Sequence, residues 1–147
     1  MNYTFTKITI MKIRKPSDKD VNKDLQWLSK SLGLFGERDK EKSTFRVFLE
    51  LIKAARKRTA LTSDDIALRS HLTRATVIHH LHKLQESGLV IPNENRYILR
   101  VDNLESLIQE IRKDTLRTLE DLQDIAKELD EELGLIKKNK VSALSEE

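Results

Sequence analysis

The chain has 147 residues, of which 35% are charged and 5% aromatic, with no cysteine. That length fits one small core plus an accessory element, and without cysteine there is no disulfide framework, thiolate metal site or cysteine nucleophile. Nothing is apolar for long enough to cross a bilayer and the N-terminus lacks the apolar stretch of a signal peptide, so a cytoplasmic protein is expected.

The net charge of +3 is unevenly distributed. Residues 1–42 carry 10 Lys/Arg against 6 Asp/Glu, a balance of +4, and residues 43–101 carry 10 against 5, or +5. Residues 102–133 carry 4 against 11, or −7, and the tail 134–147 adds +1. A basic block followed by an acidic one is what a phosphate-binding head carried on a DNA-averse stalk requires.

Residues 3–13, YTFTKITIMKI, are rich in Thr, Ile and aromatics and read as a strand. A lone strand needs an edge, so it is expected to pair with a wing or with its copy in a second subunit, the alternative being a disordered leader. Ser17-x-x-Asp20 can cap a helix running to about Leu32, with Val21, Leu25, Leu28 and Leu32 as its stripe and Trp27 beside it as packing. Gly33–Gly36 breaks it, and the charged run 37–42 reads as a solvated loop.

A second helix is expected from about Ser43 to Arg58, with Phe45, Phe48, Leu49, Ile52 and Ala55 inward. Its cationic end, including Lys53, Arg56 and Lys57, complements the helix dipole and also suits phosphate contacts. A short helix follows from Thr62-Ser63 and turns at Arg69–His71. A longer one opens at Thr73, a side-chain N-cap, buries Val77, Leu81 and Leu84, and stops at Gly88. Leu89–Ile91 and Tyr97–Leu99 read as two short strands around the turn Pro92–Asn95.

Helix, turn, helix and hairpin in this order make a winged helix. The run from Leu72 to Val90, LTRATVIHHLHKLQESGLV, resembles the recognition helix and wing entry of ArsR/MarR-like winged helix-turn-helix transcriptional regulators. The resemblance spans roughly residues 43–101 and is to a superfamily. It implies binding of double-stranded DNA in the major groove, usually by a dimer.

With Val77, Leu81 and Leu84 inward, the opposite helix face carries Ala75, His79, His82 and Glu86, flanked by Thr76, Ile78 and Lys83. Arg74, Thr76 and His79 are the base-edge candidates, Ile78 suits a thymine methyl, and Thr73 and Lys83 suit phosphates. In the wing, Asn93, Asn95 and Arg96 can reach the backbone or minor groove. The three neighbouring histidines read as exposed and pH-sensitive. His79 and His82 share a face as ligands would, but with no cysteine and no third ligand in the run, no metal or other cofactor is expected.

Residues 102–136 read as one helix, with a capping-box-like start at Asp102-x-x-Glu105 and a length of roughly 50 Å at about 1.5 Å per residue. Its seam includes Ile108, Ile111, Leu119, Leu122, Ala126, Leu129 and Leu133, with Thr115 at one seam position. That is more apolar surface than one small domain covers, so an antiparallel or coiled-coil homodimer is expected, with folding back on its own domain as the alternative. The tail 137–147 reads as frayed.

The expected architecture is therefore mainly α: an N-terminal strand and helix (1–42), a winged helix-turn-helix with a two-stranded wing (43–101), a long dimerisation helix (102–136) and a tail. No enzyme motif is present. The expected function is sequence-specific duplex binding by a homodimeric transcriptional regulator, against the rival of a winged helix used only for protein–protein assembly; no residue marks an effector site.

Overall fold

The computed structural model describes residues 6–36, 38, 39 and 41–136. The elements in order are α1 (Val21–Ser31), α2 (Ser43–Arg56), β1 (Leu61–Thr62), α3 (Ser63–Ser70), α4 (Arg74–Glu86), β2 (Val90–Asn93), β3 (Arg96–Leu99) and α5 (Leu104–Glu132). The protein is mainly helical, with a small antiparallel sheet of order β1-β3-β2. Two compact units divide the chain, Met1–Gln109 and Glu110–Glu147.

In the first unit, α2, α3 and α4 pack on one another and on the sheet around Phe48, Leu51, Ile66, Val77, Leu81 and Leu84, all at most 1% exposed. Each helix starts where a side chain satisfies otherwise unpaired backbone donors. Asp20 accepts from Asn22 N–H at 2.9 Å and caps α1 three residues later than the expected Ser17. Thr62 and Asp65 form a reciprocal capping box on α3, at 3.0 Å each way. Thr73 Oγ1 accepts from Thr76 N–H at 3.2 Å at the start of α4, as its sequence implies, and Gly88 just beyond that helix takes the left-handed φ of +74°.

The inward face of α2 is Val47, Phe48, Leu51 and Ala54; of the expected set only Phe48 is buried, and Phe45, Leu49, Ile52 and Ala55 are half-covered. The helix is turned by about one residue, roughly 100°. The cause lies outside it. Phe45 packs sideways on Phe35, ring centres 5.1 Å apart, and Thr44 turns toward α4.

Among residues 6–13 there is no strand; Tyr3–Phe5 lie outside the described residues. The segment is extended and held at separate points: Lys7 N–H donates to Glu86 O and Met11 N–H to Ser31 O, both at 2.7 Å. Those carbonyls terminate two different helices, so no ladder forms. Trp27 Nε1–H donates to Ile13 O at 3.0 Å, which ties the half-buried ring to this extended segment. Gly33 (φ +75°) is needed where the segment crosses it, because a Cβ there would sit 2.6 Å from Thr9 Cγ2.

The sheet takes its third strand from β1, whose Leu61 and Thr62 pair with Tyr97 and Arg96. Two residues give no alternation to read. The wing turn is also tighter than expected: Asn93 pairs with Arg96, leaving only Glu94 (φ +60°) and Asn95 in the turn. Pro92 lies within β2, an edge strand, where a missing N–H is tolerated.

α5 begins at Leu104, where Asn103 Oδ1 accepts from Ser106 N–H at 2.8 Å; Asn103 is the cap, not Asp102. The helix ends at Glu132, and Gly134 (φ +74°) closes it, with Leu135 N–H donating to Asp130 O at 2.9 Å. Within the second unit Leu116, Leu119, Leu122, Ile125, Leu129 and Leu133 are 45–69% exposed. Ala126 is exposed with them. Ile111, expected on the dimer seam, is only 5% exposed and has little surface to offer a partner, whereas Ile108 is 37% exposed. No helix among the described residues is long and apolar enough to cross a membrane.

Candidate nucleic-acid interface

The two faces of α4 differ sharply. Val77, His80, Leu81 and Leu84 are buried, while Arg74, Ala75 and His79 are exposed and Thr76, Ile78, His82 and Lys83 are half-covered. Thr73 carries two duties: its hydroxyl caps the helix and donates to Thr76 Oγ1 at 2.8 Å. The N-terminus of α4 therefore has an ordered cap next to an exposed cation, a site that favours negative charge.

Arg74 and Arg96 are both exposed and both have acidic neighbours on α3. Arg74 Nε lies 3.5 Å from Asp64 Oδ1. Arg96 Nη1 donates to Ala60 O at 3.1 Å and sits 4.0 Å from Asp65 Oδ2. Such exposed pairs contribute little to stability and leave both guanidinium groups free to exchange partners. Hydrogen bonds from Thr62 hold the Asp65 carboxyl below its ordinary pKa, so it stays ionised as the α3 cap.

Asn93 and Asn95 are exposed beside Arg96. Lys53, Arg56 and Lys57 are exposed at the end of α2, the helix that packs on β3. Lys53 also reaches Glu50 at 3.4 Å. A cavity of about 320 Å3 opens there, lined by Leu51, Ala55, Ile98, Leu99 and Val101 together with Arg58, Thr59 and Asp102. Among the described residues, no group of three His, Asp or Glu side chains is placed to hold a metal ion.

His80 departs from the sequence expectation: it is 8% exposed, not a surface imidazole. Its Nδ1 lies 2.7 Å from Thr44 Oγ1, a hydrogen bond whose direction follows the tautomer. Asp39 closes the cluster by accepting from the N–H groups of Ser43 at 2.8 Å and Thr44 at 3.0 Å, capping α2. Burial pushes the Asp39 carboxyl up, but these hydrogen bonds and His80 outweigh it and leave the pKa lowered. Burial pulls His80 below its ordinary 6.5; Asp39 opposes this, while His79 and Lys83 add to it.

Sequence reasoning missed His80, because periodicity places it one step round from Val77 and Leu81 but gives no partner for it. It also missed Arg46, whose Nη2 donates to Ser70 O at the end of α3 and so ties α2 to the turn before α4.

The lowered His80 pKa predicts a pH dependence with a definite sign. Above about pH 6.5 the imidazole is neutral in both folded and unfolded chains, and stability is unaffected. Below that value the unfolded chain binds the proton first, so stability falls by up to about 1.4 kcal/mol per pH unit. The lowered Asp39 pKa adds a further loss only below about pH 3.8. Denaturant unfolding between pH 8 and 5 should show the first decline in the wild-type chain and a flatter profile in His80→Asn.

Residues 48–93 match the family model of the IclR helix-turn-helix domain. The segment is a helix-turn-helix domain of the kind that serves DNA-binding transcription regulators. It runs from the middle of α2 through β2 and contains α3, the turn and α4 whole. The type that matches is the IclR helix-turn-helix, not specifically that of the ArsR or MarR regulators. Searches of curated proteins and of solved structures returned no match.

Proposed function

We propose that this protein is a sequence-specific, double-stranded-DNA-binding transcriptional regulator acting as a homodimer. One observation carries the reading: a helix-turn-helix whose second helix, α4, buries one face and leaves Arg74, Ala75 and His79 open beside a capped N-terminus. In this reading α4 enters the major groove. Arg74 addresses guanine through two parallel hydrogen bonds, Thr76 and His79 address base edges, and the half-covered Ile78 meets a thymine methyl.

Thr73 and Lys83 hold phosphates, as do Lys53, Arg56 and Lys57 from the end of α2. Asn93, Asn95 and Arg96 carry the wing onto the adjacent backbone or minor groove. Residues 43–101 are then the reading head and α5 the dimerisation element, through Ile108, Leu119, Leu122, Ala126, Leu129 and Leu133. The exposed leucines support the second assignment, since a monomer would leave a continuous apolar stripe in water. Selection of bound sequences from a random duplex pool by the full chain tests the reading.

A further inference from the structure

The apolar stripe of α5 reads almost the same from either end. Leu119 and Leu122 flank the point midway between Glu120 and Asp121. Thr115 and Ala126 are equally distant from that point, and so are Ile108 and Leu133. A stripe with this symmetry matches itself when one helix is laid against a second copy running the opposite way.

Charge separates the two possible directions. The end of the helix carries Glu128, Asp130, Glu131 and Glu132 with no cation among residues 128–133, whereas the stretch 110–117 carries Arg112, Lys113 and Arg117 against Glu110 and Asp114. A parallel pair sets four carboxylates beside the same four, which is unfavourable. An antiparallel pair sets them beside the cationic stretch. Arg112 and Asp130 are 18 residues apart, about five helical turns, so they share one flank of the stripe. They also lie within one residue of the same symmetry.

We propose that α5 pairs with α5 of a second copy in antiparallel fashion, centred between Glu120 and Asp121, with Thr115 of each copy opposite Ala126 of the other. The acidic end of each helix then lies along the cationic stretch of its partner. This rests on the homodimer reading and adds its direction and register.

The absence of native cysteine lets introduced ones report alone. Full-length T115C, A126C and the double variant T115C/A126C are oxidised mildly and run on denaturing, non-reducing gels, with sedimentation velocity on the reduced chains. The two positions are about 16 Å apart on one helix, too far for a disulfide within a chain. The proposal expects the double variant to give at least tenfold more covalent dimer than either single variant. Dimer formation by T115C alone and A126C alone would indicate a parallel pair, and by A126C alone a pairing centred on Ala126; either overturns the proposal. A sedimenting dimer whose double variant does not cross-link overturns the register while sparing the homodimer. A monomer overturns the homodimer reading and the register with it.

Discussion

Replacing Leu119 and Leu122 together by aspartate is expected to abolish self-association and to weaken binding to a two-half-site duplex by roughly 10²–10⁴-fold. Both side chains are more than half exposed in the single chain, so the change removes no packing from the first unit. In the proposed homodimer, two linked heads bind their half-sites with an effective concentration that separate heads lack, and the variant removes that link. Sedimentation velocity, duplex binding by fluorescence anisotropy and thermal unfolding by circular dichroism read the three parts. A double variant that stays dimeric, or that binds the duplex as tightly as the wild type, would contradict the role given to α5.

The largest effect on folding is expected from Leu81→Ala. Leu81 is fully buried on the inner face of α4, amid the packing of α2, α3 and α4. Truncation loses the transfer energy of the side chain and leaves a cavity, about 2–5 kcal/mol in comparable cores. For a unit of this size that lowers the unfolding midpoint by roughly 10–20 °C or more. Leu68→Ala on α3 is the control: with 79% of that residue exposed, it should change stability by no more than about 0.5 kcal/mol. Similar losses for the two variants would mean that the inner face of α4 does not hold this core together.

Much of the helix-turn-helix unit was legible from local chemistry. Thr73 is a cap because its side chain satisfies the backbone two to three residues on, and Gly88 ends the helix because it takes a positive φ; neither depends on distant residues. The long amphipathic helix was legible for the same reason, through its period. What escaped depended on long-range contacts. The rotation of α2 is set by Phe35 and His80, partners from other parts of the chain. β1 is too short to show a pattern, and residues 6–13 have strand-like composition but find two helix ends instead of a sheet edge.

Exposure on the open face of α4 followed from the position of the buried one, since a helix with Val77, Leu81 and Leu84 inside turns Ala75 and His79 out. The polar traffic around that face did not. The Asp64 neighbour of Arg74 and the Ala60 carbonyl that receives Arg96 arise because the α3 N-terminus and β1 lie beside them, and no spacing in the sequence announces either.

Whether α4 reads duplex DNA, as proposed, is measured most directly by selecting bound sequences from a random duplex pool with the full chain. Enrichment of an inverted repeat is expected, with binding that weakens as salt is raised because phosphate contacts release counterions. Recovery of no duplex above background, even at low salt, would contradict it.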